Sequence, residues 1–248
     1  MDIIEIRYIF NFDDQRQEIV DVALDGQTLT VVRGKYDHLP EWTKLEFHQC
    51  PHCPLDRADH PFCPVAAVLV DVVRRFDEIL SYDAVDLEII TKERKVSQKT
   101  TAQRGISSLI GVLFPASGCP HTAFFRPMVR FHLPMANKQE TLFRAAGMYL
   151  LAQFFLRQDG YKEDSELHGL TQIYKNLNVL NINIADRLRD ATQTDSSLNA
   201  IIILDVFTQA LPFVIDDHLN ELRHLFAPYL SNFYATLMKT MEASDNLL

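Results

Sequence analysis

The chain has 248 residues, 47% of them hydrophobic and 23% charged, and a formal charge of −9. That length and composition suit one large or two small globular domains with a sizeable core, so folding need not depend on a metal as it does in very small domains. An acidic balance without any cluster of lysines and arginines argues against nonspecific attraction to nucleic acid or anionic lipid.

The N-terminus, Met1-Asp2-Ile3-Ile4-Glu5, has neither the basic start nor the apolar run of a secretory signal, which predicts a cytoplasmic protein. Ile4, Ile6, Tyr8 and Phe10 alternate with polar residues, a turn follows at 11–14, and Val20, Val22 and Leu24 alternate again before Asp25-Gly26. Leu29 and Val31 extend this to a third strand ending near Gly34. The stretch 48–64 is rich in Pro and Cys, lacks periodicity and reads as an ordered loop. Pro64 suits a first helical turn, after which Val65, Val68, Leu69, Val72, Val73, Phe76 and Leu80 mark one helical face. Val85, Leu87 and Ile89 alternate as a strand, with 94–100 pairing back as a hairpin.

From about Thr101 the pattern is helical. Asn137 followed by Glu140 opens a helix that should run to Gly160. Leu167, Leu170, Tyr174, Leu177, Asn181, Ile184 and Leu188 follow the three- and four-residue steps of a packed helix seam. Further helices are expected at 197–211 and 217–241, the latter kinked or broken at Pro228. The most apolar stretches, 148–156 and 200–211, are interrupted by Gln153 and Asp205 and are shorter than the roughly 20 residues of a membrane span, so both read as buried helices. The expected architecture is α+β: an N-terminal antiparallel sheet with a covering helix (1–100, carrying the Cys-rich loop 48–64), followed by a C-terminal helical bundle (101–248) packed on it as one unit.

Four cysteines, Cys50, Cys53, Cys63 and Cys119, are spaced C-x2-C-x9-C-x55-C, and each is followed by a proline. Proline is about one residue in twenty by average usage, so this coincidence is not expected by chance. Cys50-Pro51-His52 recurs as Cys119-Pro120-His121. The simplest explanation is one shared site of four thiolates, with zinc as its metal: zinc takes four soft ligands in tetrahedral array, a C-x2-C turn supplies two, and the prolines stiffen the loop. Three alternatives stay open. An iron–sulfur cluster uses the same four thiolates. Thiol–disulfide exchange fits the Cys-Pro-His-Cys tetrapeptide, although Pro54 and the segment after it interrupt the helix such a site requires. Four reduced cysteines without any ligand is the plainest reading.

Six of nine histidines, His38, His48, His52, His60, His121 and His132, fall in the same region and could replace a thiolate or hydrogen-bond to one. Asp205 inside an apolar run is a candidate general base or ion ligand, with a solvent-facing position the commoner case. Asn181 on the seam could set helix register in a bundle or a dimer. The run Phe124, Phe125, Arg126, Met128, Arg130, Phe131, His132 mixes aromatic and basic residues, as a ligand-binding lip would, and as a core edge with surface arginines also would. No phosphate-binding loop, dinucleotide glycine motif, nucleophile elbow or HExxH helix is present, so no catalytic residue is assigned.

The run Trp42 to Leu55 with its Cys-Pro-His-Cys-Pro, the later Phe62-Cys63-Pro64-Val65-Ala66, and Ser117-Gly118-Cys119-Pro120-His121 resemble an uncharacterised family of bacterial proteins, a domain of unknown function. The resemblance covers most of the chain and implies a bacterial cytoplasmic setting, but brings no activity. The expected function is therefore a noncatalytic regulatory or interaction protein with structural zinc on Cys50, Cys53, Cys63 and Cys119, meeting a protein partner or a second copy through its helical region. The alternative is an iron–sulfur redox protein, sensor or enzyme.

Overall fold

The computed structural model describes residues 2–32, 38–191, 198–199, 201 and 219–231. Strands β1 (Ile3–Phe12) and β2 (Gln17–Asp25) form the first hairpin; its turn is closed by the Arg16 amide on the Asp14 carboxylate at 3.0 Å and by Gln15 in the left-handed region, φ 68°. Strands β3 (Ala84–Thr91) and β4 (Lys95–Thr101) form the second. The sheet order is β2-β1-β3-β4, with every pairing antiparallel.

Alternation puts one face inward: Ile6, Tyr8, Phe10 and Phe12 from β1, Val22 and Leu24 from β2, and Val85, Leu87 and Ile89 from β3 are all buried. The opposite face is polar, as in the exposed Arg7–Asp21 pair, and edge strand β4 carries exposed Lys95 and Lys99, which discourage pairing with another sheet edge.

The third strand expected at Leu29 and Val31 is not formed as a strand. Asp25 accepts the Gln27 and Thr28 amides on its side chain, and Leu29 takes a positive φ of 55°, so the chain swings away. Val31 keeps a single bridge to Leu24 and donates its amide to Ala116 at the end of the second helix instead. Gly34 lies outside the described residues.

Helix α1 (Pro64–Phe76) begins as expected with Pro64 in the first turn and buries Val65, Val68, Leu69, Val72, Val73 and Phe76 against the sheet. It ends at Phe76, so Leu80 falls beyond it and is exposed rather than part of its face. Helix α2 (Ala102–Ala116) follows β4 directly and crosses the same face of the sheet, close enough that Gly105 sits on the Phe10 ring. A short helix α3 (Arg126–Arg130) leads to α4 (Lys138–Gln158), whose Asn137/Glu140 capping box is complete, and then to α5 (His168–Ala191).

The α5 seam is buried at Leu170, Tyr174, Asn181, Ile184 and Leu188, with Leu177 half-buried. Its C-terminal half joins the core of the sheet, α1 and α2, while its N-terminal half packs on α4 and Phe125 in a second cluster. The sheet and the helical part thus meet through α5.

The stretch 148–156 is helical but not buried. Leu150, Leu151, Phe154 and Phe155 are exposed, and the buried member is Gln153, whose side-chain oxygen accepts the Asp164 amide at 2.8 Å. Gln153 thus continues the inward face that Leu142, Ala145 and Ala146 begin, and ties the returning loop to it. Of the expected helix at 197–211, residues 198–199 and 201 are described, as helix, and Asp205 lies outside the described residues. Near the C-terminus the break precedes Pro228: a 3-10 turn at Arg223–Phe226 separates helical 219–222 from the short helix Ala227–Leu230, where Pro228 stands in the first turn. Among the described residues no helix is long and apolar enough to cross a membrane.

Candidate metal centre

The Cys-rich loop is closed at its base by short-range pairing. Lys44 bridges Phe62, the Leu45 amide bonds the Pro61 carbonyl at 3.0 Å, and the Cys63 amide bonds the Thr43 carbonyl at 2.8 Å. Within it, Cys50-Pro51-His52-Cys53 forms a turn with the Cys53 amide on the Cys50 carbonyl at 2.9 Å. Cys63 is the N-cap of α1, in extended conformation (φ −67°, ψ 120°) as a residue before proline prefers. Its sulfur stands at a helix N-terminus, where a negative charge is favoured.

Cys119 arrives from the other direction. Gly118, at φ +98°, reverses the chain just past the end of α2, a position glycine suits. Ser117 and Thr122 hydroxyls both donate to the Phe114 carbonyl, at 2.7 and 2.6 Å, anchoring the turn on the helix end. The Thr122 and Ala123 amides close the turn on the Cys119 carbonyl at 3.2 and 3.1 Å, and the backbone of His121 and Thr122 acts to lower the Cys119 pKa against its burial.

These three segments bring Cys50, Cys53, Cys63 and Cys119 to the wall of one cavity of about 20 Å³, floored by Leu180 and Ile184 of α5. All four are free thiols. Burial first, then the neighbouring sulfurs, push Cys50 up to about 12, and burial pushes Cys119 up to about 11, so at neutral pH both keep their protons unless a cation displaces them. Among the described residues no three His, Cys, Asp or Glu groups are drawn close enough to hold a metal ion as they stand. Convergence on one cavity is present; closure to ligand distance is not.

The residue that sequence reasoning missed is Arg187. It is 2% exposed, lines the same cavity, and donates to the carbonyls of Trp42 (2.8 Å), Lys44 (2.7 Å) and Leu45 (2.9 Å), holding the base of the Cys loop against α5. Its Nε is buried without a hydrogen-bond partner, and among the described residues it makes no ion pair. Burial lowers its pKa while Cys63, Cys50 and Cys53 act to raise it. A buried cation without a negative partner is costly, and among the described residues the groups acting on it that can become negative are the thiols of Cys63, Cys50 and Cys53. A signal did exist: Leu180, Ile184 and Arg187 stand at helical spacing on one face, and a charge there is out of pattern.

The two Cys-Pro-His histidines do not act as substitute ligands through Nε2. His121 Nε2–H donates to the His52 carbonyl at 2.9 Å, and His52 Nε2–H donates to the Asn176 carbonyl of α5 at 3.0 Å. Carbonyls only accept, so both rings carry the proton on Nε2. The rings stack with centroids 4.0 Å apart, and burial together with His121 holds the His52 pKa below its usual value. Of the other histidines, exposed His48 pairs with Asp190 at 2.8 Å, while His132 lies against Tyr8 far from the thiols. The aromatic and basic run divides: Phe125 is buried, Phe124 and Phe131 are exposed, Arg126 donates to the Pro115 carbonyl, and Arg130 lies over the Phe131 ring.

A family model described as a domain of unknown function, DUF6901, matches residues 6–227, and the chain belongs to that family. No curated protein and no solved structure matches the chain.

Proposed function

We propose that this member of a family without an assigned activity is a metal-binding protein whose Cys50, Cys53, Cys63 and Cys119 hold one structural zinc, and that it acts in regulation or interaction rather than catalysis. The observation carrying this reading is the shared cavity of four thiols beside the buried Arg187, which makes no ion pair among the described residues. Zinc bound by four thiolates has a net charge of about −2, and a fixed guanidinium next to it offsets part of that. Zinc–sulfur bonds near 2.3 Å need the Cys50–Cys53 and Cys119 turns to close on the ion. Here the metal stabilises a junction between the sheet loop, α2 and α5, and supplies local order.

A cavity of about 20 Å³ has room for one water-sized occupant, whereas a cluster of several irons and bridging sulfides needs more. That favours the mononuclear reading over the iron–sulfur alternative. Four free thiols in one cavity suit a reducing compartment, which supports the reading of a bacterial cytoplasmic protein. A protein partner or a second copy would meet the helical region, where α4 leaves Phe143, Leu151 and Phe155 exposed along an apolar groove of about 830 Å³.

Metal analysis and an absorption spectrum of anaerobically purified full-length protein test the proposal. One zinc per chain in a colourless sample supports it, and substitution of any of the four cysteines by serine should then lose the ion. Iron with sulfide and a brown colour replaces zinc with the cluster. Four freely titrating thiols and no metal overturn both.

A further inference from the structure

A second cavity lies among α2, α3, α4 and α5, against Tyr174, Leu177 and Asn181 of α5 rather than the Leu180, Ile184 and Arg187 that face the thiols, with a volume of about 270 Å³, near the lower end of the range for small-molecule sites. Its body is apolar, with Phe114, Phe125, Met128, Met135 and Leu177 among its walls. Its polar wall has one sign. Arg104 and Arg144 line it together with Ser107 and Ser108, and among the described residues no Asp or Glu does, in a chain whose acidic residues outnumber its basic ones by 33 to 24.

Arg144 is held in place for a ligand. It donates to the carbonyls of Met128 at 2.8 Å and Phe131 at 2.9 Å, both through Nη2, and among the described residues it forms no ion pair. Nη1 and Nε are therefore left to bind elsewhere. Burial lowers the Arg144 pKa, and the more distant charges of Tyr174 and Glu140, one turn back on α4, offset this only in part. A carboxylate supplies the planar, two-oxygen partner that a guanidinium fork matches.

We infer that this cavity binds a small amphipathic carboxylate, with its head on Arg144 and Arg104 and its apolar body against Met128, Met135 and Leu177. The site is independent of the thiols: it would stand with or without zinc. Gly111 of α2 lines it, and a Cβ added there meets nothing within 4 Å, so a bulky side chain can start from this position without a clash at its first atom.

The test titrates octanoate, octan-1-ol and acetate into full-length protein carrying 13C-methyl methionine. Octanoate should shift the Met135 methyl saturably at one site and leave Met148, which lines the separate α4 groove, unchanged. Octanol and acetate, lacking head or tail, should bind at least roughly tenfold more weakly. Arg104→Gln, at an exposed position, should weaken octanoate several-fold, and Gly111→Phe should abolish the shift while retaining the folded methyl spectrum. Equal binding of octanol, a response at Met148 in place of Met135, no shift with millimolar octanoate, or unchanged binding by Arg104→Gln each overturns the inference; the wild-type and Arg104→Gln arms decide it even if Gly111→Phe fails to fold.

Discussion

His121 donates its Nε2 proton to the carbonyl oxygen of His52 at 2.9 Å, so two Cys-Pro-His tripeptides 69 residues apart are joined by the histidine of one and the backbone of the other. The same imidazoles stack, and His52 continues the chain of bonds to the Asn176 carbonyl on α5. Repetition of the tripeptide therefore has a structural meaning. Each cysteine faces the shared cavity while its histidine two residues on fastens the turn to its neighbour.

His121→Phe keeps a ring for stacking but leaves the His52 carbonyl without its donor. Loss of a part-buried hydrogen bond of this kind costs about 0.5–1.5 kcal/mol, to be read from urea unfolding. Because the imidazole fastens rather than ligates, the variant should retain one zinc per chain. Loss of the ion with the fold intact would make His121 a ligand.

Arg187→Met retains much of the side-chain length and abandons three carbonyls at once, those of Trp42, Lys44 and Leu45. Breaking a buried charged network costs on the order of 3–5 kcal/mol. It also removes the cation beside the thiols, so zinc affinity should fall roughly 10- to 100-fold, the usual scale for a group that supports metal ligands. Competition with a chromophoric chelator measures it. Arg187→Lys should recover only part of either loss, since an ammonium cannot reproduce the planar fork.

Acid stability should carry the mark of His132. Its Nε2 shares a hydrogen bond of 2.6 Å with the Tyr8 hydroxyl, which also stands 3.1 Å from the Ser108 carbonyl. Burial, reinforced by Arg144, depresses its pKa from 6.5 to about 3. The unfolded chain therefore takes up a proton below about pH 6.5 that the folded chain refuses until about pH 3. Stability is untouched by this group above 6.5 and falls as the pH drops below it, by at most about 1.4 kcal/mol per pH unit. Denaturation midpoints of His132→Gln between pH 4 and 7 should show a slope reduced by about one proton.

Two glycines of α2 should respond oppositely to alanine. At Gly105 a Cβ would stand 2.6 Å from Cε1 of Phe10, a ring that is fully buried and edge-on to Phe76. Overpacking of about 1–3 kcal/mol should outweigh a helix-propensity gain of about 1 kcal/mol. At Gly111 the space is open, and the same substitution should stabilise by up to about 1 kcal/mol. Thermal or urea unfolding of both variants compares them directly.

What the sequence determined by itself was local. Alternation in Ile6, Tyr8 and Phe10, proline at the start of α1, the Asn137/Glu140 box and the seam from Leu170 to Leu188 each depend on neighbours within a few residues, and each appears in the structure as it reads. The spacing of the cysteines and the repeated tripeptide likewise singled out the residues that come to one cavity. Tertiary structure alone decided the rest. Leu29 to Val31 looked like a strand, yet a carboxylate turn at Asp25 and the end of α2 competed for their backbone. Leu150 to Phe155 looked buried, but the amide of Asp164 claimed the inward face through Gln153. Arg187 joined the cysteine site through bonds reaching more than 140 residues along the chain, and the wall of Arg104 and Arg144 was assembled from two helices. Periodicity reports which side of an element is apolar; it carries no record of which distant carbonyl or thiol will stand opposite, because that choice belongs to the packing of whole elements.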